Sequence, residues 1–316
     1  MMIFKKSVLS WFGWLTIMAS AQAAEPPAQP LYSGDIPGAI VAPDEESVRD
    51  PKDPWPFIEN TSRPTITAYR PAKQDSKRAA VVILPGGGYR GTSILKEGYD
   101  VARAFNDMGV TAFVVKYRTP SDKHMKDKRV GPLQDAQQAV ASVRRDAQKW
   151  QIDPKRIGVI GFSAGGHLAA MTGTLFHSPV LAQWQSADVR PDFLMLIYPV
   201  ITFTESTVHR GSRQQLLGNT PSTDDMKRFS AELAVTRDTP PTFLIHAADD
   251  QTVPVANSIL FFEALQARNI PAQLMIYPAG GHGYGLNNAT TGDRWIDRCR
   301  QWLRSQGWIS SQSAGE

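Results

Sequence analysis

The chain has 316 residues, 42% hydrophobic and 20% charged, which allows one large α/β domain or two small ones and excludes a disordered chain. Its 34 basic and 30 acidic residues leave a net +4 with no long basic run, so nucleic-acid binding has little support and is not expected. A single cysteine, Cys299, excludes an intrachain disulfide framework, Cys-rich zinc modules and iron–sulfur ligation.

The chain opens on an address. Lys5 and Lys6 precede an apolar stretch at 8–18, and Ala21-Gln22-Ala23 forms a small-x-small site. Residues 1–23 therefore read as a secretory signal peptide, cleaved after Ala23 or, alternatively, after Ala21. The apolar stretch is shorter than the roughly 18–20 residues a span needs. An exported protein is expected, periplasmic or secreted, with no membrane anchor after cleavage. Residues 24–64 read as a Pro-rich arm laid over the domain: nine of the 23 prolines fall there.

From residue 65 the pattern changes. Short apolar runs recur at 65–69, 79–84, 110–115, 157–160, 193–198, 242–246 and 273–277. Most are apolar on both faces, as strands of a covered parallel sheet are. Helical periodicity lies between them. At 132–150 the residues Leu133, Ala136, Val140, Val143, Ala147 and Trp150 recur every three or four positions, and Pro132 suits a first helical turn. Segments 166–175, 255–267 and 293–305 also read as helices. This alternation predicts an α/β fold with a doubly wound, mostly parallel sheet and helices on both faces, over residues 65–310. The polar segment 200–236 breaks the alternation and reads as a partly helical excursion over the active face.

The chemistry gathers at three strand ends. Gly161-Phe162-Ser163-Ala164-Gly165 follows one predicted strand and opens a helix, which is the context a nucleophile elbow requires. Ser163 is the candidate nucleophile, in a φ-positive turn whose glycine neighbours allow backbones to approach. A serine needs a base. Of six histidines, His282 alone is both downstream and on a Gly-rich loop at a strand's carboxyl end. His167 reads as packing beneath the elbow, and His246 as buried. The third member is one of the adjacent aspartates Asp249 and Asp250, which local chemistry does not separate. The oxyanion would rest on backbone N–H groups of Gly87, Gly88 and Ala164, from the glycine run after Leu84 and the residue after the nucleophile. Tyr89, Trp184, Tyr198, Glu205 and Tyr284 are candidates to line the pocket or to pack beside it.

Five stretches carry a resemblance: LPGGGYRG at 84–91, GFSAGGHLAA at 161–170, GSRQQLLG at 211–218, PPTFLIHAADDQTVP at 240–254 and GGHGYGL at 280–286. Over residues 60–306 the chain resembles the α/β-hydrolase fold, and within it the secreted acetyl xylan esterase-like and prolyl-oligopeptidase-related esterases. In these the aspartate stands four residues before the proline of a D-x-x-V-P run. The resemblance thus implies Asp250, with Ser163 and His282 completing the triad. It implies hydrolysis of a small-molecule or carbohydrate ester, with no metal and no cofactor. Pro85 departs from the lipase-like pattern, which has histidine there. A peptidase of the prolyl-oligopeptidase-like group is the alternative, although about 40 residues before the domain are too few for a propeller. A non-catalytic binding module is the remaining one. The oligomeric state is not legible.

Overall fold

The computed structural model describes residues 25–204 and 206–311. The expected signal peptide lies outside the described residues. The strands, in chain order, are β1 (Gln29–Pro30), β2 (Ser47–Val48), β3 (Ile58–Glu59), β4 (Thr65–Tyr69), β5 (Ala80–Leu84), β6 (Gly91–Thr92), β7 (Thr111–Lys116), β8 (Ile157–Phe162), β9 (Phe193–Ile197), β10 (Thr242–Ala247) and β11 (Ala272–Tyr277). The helices are α1 (Asp100–Asn106), α2 (Gly131–Arg145), α3 (Ala147–Trp150), α4 (Ser163–Thr174), α5 (Ser186–Val189), α6 (Arg210–Leu217), α7 (Thr223–Arg228), α8 (Ala256–Gln266) and α9 (Trp295–Ser305).

Eight strands form one sheet in the order β1-β4-β7-β5-β8-β9-β10-β11. β4 runs antiparallel to β1 and β7, and the pairings from β7 onward are parallel. The expected doubly wound α/β sheet is therefore present. Its two faces are both covered. Val82 and Leu84 pack with Leu133, Val140 and Leu168 on one side. Val81 and Ile83 pack with Val101, Phe105 and Trp302 on the other. This two-sided burial explains why the central strands β5, β8, β9 and β10 read as almost unbroken apolar runs.

Several boundaries differ from the sequence reading. The expected helix 132–150 is two pieces, because Asp146 leaves helical geometry at φ −93° and ψ 19°. Its apolar stripe survives, with Leu133, Ala136, Val140 and Ala147 buried in one cluster. The run 193–198 ends as a strand at Ile197, and Tyr198 turns left-handed at φ 37°. A π-turn at Leu95–Tyr99 leading into α1 carried no sequence signal that stood out.

The arm joins the domain instead of merely covering it. β1 extends the sheet edge against β4. A fully buried ion pair, Arg118 with Asp135, fastens the stretch of arm after β1. The Tyr32 hydroxyl donates to Asp135 at 2.8 Å, and Arg118 donates to the Pro37 carbonyl at 2.8 Å. The excursion 200–236 folds into α6, α7 and a 3-10 turn at Ala231–Ala234. Its start is held where the Asn257 side-chain oxygen accepts from the amides of Ile201 and Thr202. No helix among the described residues is long and apolar enough to cross a membrane.

Candidate active site

Ser163 sits at the junction of β8 and α4 with φ 51°, a left-handed conformation that costs a non-glycine residue energy. The flanking glycines make the turn possible. A Cβ on Gly161 would lie 2.1 Å from the Gly165 carbonyl oxygen, and one on Gly165 would lie 2.1 Å from that of Leu84. The elbow is thus pressed onto the end of β5, where the glycine loop begins.

The three predicted triad residues meet at the carboxyl ends of β8, β10 and β11. His282 Nδ1 is 2.6 Å from Asp250 Oδ2, and His282 Nε2 is 2.8 Å from Ser163 Oγ. An ionised carboxylate only accepts, so Nδ1 carries the proton and Nε2 accepts from the serine hydroxyl. That is the tautomer a general base needs. Asp250 is buried, and burial alone would raise its carboxyl. Bonds from His246 and His282 outweigh this and hold it well below the usual carboxylate range. Its other oxygen, Oδ1, accepts from the amides of Thr252 and Val253, each at 2.9 Å.

The neighbouring aspartate has a different task. Asp249 Oδ1 accepts from the Gly281 amide at 2.8 Å and so pins the loop that carries His282. His246 is buried as expected, yet it also belongs to the site. Its Nε2 faces two acceptors, the Val253 carbonyl at 2.9 Å and Asp250 Oδ2 at 3.1 Å. Nε2 therefore bears the proton, and Nδ1 accepts from the Ser258 hydroxyl at 2.8 Å. Nothing local in the sequence pairs His246 with an aspartate that also serves a second histidine.

The glycine loop lies against the elbow. A Cβ on Gly86 would fall 2.9 Å from the Ser163 Cβ, and one on Gly87 would fall 2.1 Å from the Gly91 carbonyl oxygen. Only glycine fits at either position. Tyr117 Oη donates to the Pro85 carbonyl at 2.6 Å and anchors the loop from behind. Ala164 lies in the first turn of α4, where amides lack an intrahelical acceptor. The Gly86 amide is occupied: it donates to Glu97 Oε2 at 2.8 Å. Burial raises the Glu97 carboxyl, and bonds from Tyr198 and Gly86 counter it.

The residues left open by sequence now divide. Tyr89 is buried, and its hydroxyl meets His167 Nδ1 at 2.7 Å, so it packs behind the loop. His167 sits beneath the elbow as expected, with Nε2 donating to the Phe229 carbonyl at 2.8 Å. Tyr198 rests its ring on His282, centroids 4.9 Å apart, and Tyr284 packs edge-on against Tyr198. Trp184 lies elsewhere, donating to Gln138 of α2. Glu205 lies outside the described residues. His209, in the excursion, stands beside the loop: a Cβ on Gly88 would lie 3.9 Å from its Cε1. Among the described residues, no three His, Cys, Asp or Glu side chains group as a metal site.

A nucleophile elbow after a parallel strand, with acid and base on later strand ends in the order serine, aspartate, histidine, defines an α/β-hydrolase. More narrowly, residues 66–265 match the BD-FAE family, and the chain belongs to it. It is 36% identical over 237 residues to an acetylxylan esterase of Xylanibacter ruminicola, covering 73% of this chain and 45% of that one. It is 36% identical over 227 residues to an endo-1,4-beta-xylanase B of Butyrivibrio fibrisolvens, covering 71% of this chain and 35% of the other. The chain thus spans less than half of either relative. Among solved structures, an acetyl ester-xyloside bifunctional hydrolase from Caldicellulosiruptor lactoaceticus superposes with a TM-score of 0.72 at 35% identity, over 92% of this chain and all of the other.

Proposed function

We propose that this protein is a serine carboxylesterase that removes short acyl groups, chiefly acetyl, from carbohydrates such as acetylated xylan. The observation that carries the reading is the unbroken line of hydrogen bonds from Asp250 through His282 to Ser163, set beside a glycine loop. Ser163 Oγ attacks the ester carbonyl while His282 Nε2 takes its proton. The tetrahedral oxyanion rests on the amides of Gly87, Gly88 and Ala164. The bond to the alcohol then breaks, and the imidazolium returns the proton to the leaving oxygen. Water, deprotonated by His282, releases the acid and restores the serine. Asp250 fixes the tautomer and stabilises the imidazolium.

Similarity to an acetylxylan esterase and to an acetyl ester-xyloside hydrolase supports the acyl group and the sugar. The basic start, apolar stretch and small-x-small site at the amino terminus support export. The test is release of acetate from acetylated xylo-oligosaccharides, beside p-nitrophenyl esters of increasing chain length. We expect turnover on the sugar and on acetyl, falling toward decanoyl. Ser163→Ala should lose several powers of ten in kcat. Rates that rise steadily with chain length would contradict the acetyl assignment, and unimpaired Ser163→Ala would contradict the mechanism.

A further inference from the structure

Glu97 and Tyr198 stand 101 positions apart and meet in the interior, where the Tyr198 hydroxyl donates to Glu97 Oε1 at 2.7 Å. Each also holds a loop of the site. Glu97 Oε2 accepts from the Gly86 amide, one residue before the first oxyanion donor. Tyr198 Oη accepts from the Gly285 amide at 3.0 Å, three residues after His282. The Gly285 carbonyl in turn accepts from Trp295 Nε1 at 2.8 Å, which ties that loop to α9. Both side chains are buried, and Tyr198 adopts a strained φ of 37° that places its ring against His282.

We infer that Glu97 and Tyr198 are positioning residues that brace the oxyanion loop against the base loop. This rests on the esterase reading. A simple filler would need no carboxylate here, because a buried acid is costly unless each oxygen finds a donor. Both oxygens do: one donor is the amide of Gly86 in the glycine loop, and the other is the Tyr198 hydroxyl, which holds the His282 loop at Gly285. The oxyanion donors and His282 Nε2 must act on oxygens bonded to the same carbon. A small error in their separation therefore weakens the transition state more than it weakens substrate binding.

The test uses p-nitrophenyl acetate with the full chain and the variants Tyr198→Phe, Glu97→Gln and the pair together. Tyr198→Phe keeps the ring on His282 and removes only the link. We expect its kcat to fall ten- to a hundredfold with KM changed less than about twofold. Glu97→Gln should show the same split. The double variant should be no slower than the slower single one, since both cut one chain. Loss of thermal stability with kcat intact would overturn the brace, as would losses that multiply in the double variant. Should one variant fail to fold, the other still decides by its KM-against-kcat split. Failure of the underlying reading looks different: the unaltered chain would then show no turnover above Ser163→Ala.

Discussion

Two adjacent carboxylates, Asp249 and Asp250, divide the work of one loop. Asp250 faces the imidazole, and Asp249 holds the backbone that carries it. Asp250→Asn should therefore lower kcat by on the order of 10⁴, because the amide favours the wrong tautomer. Asp249→Ala should cost about tenfold or less, by loosening a loop that other bonds still hold. Steady-state kinetics on p-nitrophenyl acetate separates the two, and equal losses would undo the assignment. Ser163 and His282 were legible because each sits in a local pattern with a mechanical reason. Asp250 was legible only with help from the family resemblance, since neither neighbour differs in local chemistry. The roles of Glu97, Tyr198 and His246 were not legible, because they depend on contacts between distant segments. His167 adds a pH prediction. Burial pushes its imidazole from 6.5 down to about 4. As pH falls from 6.5 toward 4, the unfolded chain gains a proton that the folded chain refuses. Stability is then complete above the unfolded value and declines through this window, by up to about 1.4 kcal/mol per pH unit. Urea unfolding at pH 7 and pH 5 should show a smaller loss in His167→Gln than in the unaltered chain, and an identical loss would contradict it.

At the scale of the element, β8, the elbow and α4 act as one piece. All of α4 is buried, so apart from the hydrogen-bonded His167 its residues are small or apolar on every side. The piece is positioned by contacts too close for any side chain. Gly165→Ala would drive a Cβ into the carbonyl oxygens of Leu84 and Pro85, at 2.1 and 2.4 Å. We expect a loss of roughly 3 kcal/mol or more in urea unfolding, with the glycine loop displaced from Ser163. A variant as stable and as active as the parent would show that the backbone yields there. The central strands β5, β7, β8, β9 and β10 were legible because burial on both faces makes them almost wholly apolar. The segment 95–106 was not. It is short, it interrupts itself with Gly98, and its acid Glu97 points inward for a reason the local sequence does not carry. β9 ends one residue before its apolar run does, since Tyr198 suits a strand by type and leaves it to reach Glu97.

For the whole molecule, the arm and the sheet are one unit. Arg118 and Asp135 are buried together, and Tyr32 and Pro37 of the arm close over them. Asp135→Ala would leave an uncompensated guanidinium in the interior and should cost about 3–5 kcal/mol. Chemical denaturation reads that loss, and a change below about 1 kcal/mol would mean the arm is not fastened there. The same architecture places the serine, the aspartate and the histidine on three strands that are consecutive across the sheet apart from β9, so the site depends on the fold as a whole. The proposed mechanism requires Ser163, activated by His282 and Asp250, to become covalently attached to substrate. Reaction with diethyl p-nitrophenyl phosphate tests it most directly, followed by peptide mass mapping and residual activity. We expect one p-nitrophenolate released per chain, the diethylphosphoryl group on the peptide containing Ser163, activity lost in proportion, and no adduct on Ser163→Ala. Full labelling of Ser163 with esterase activity intact, or inactivation by an adduct on another residue, would contradict it.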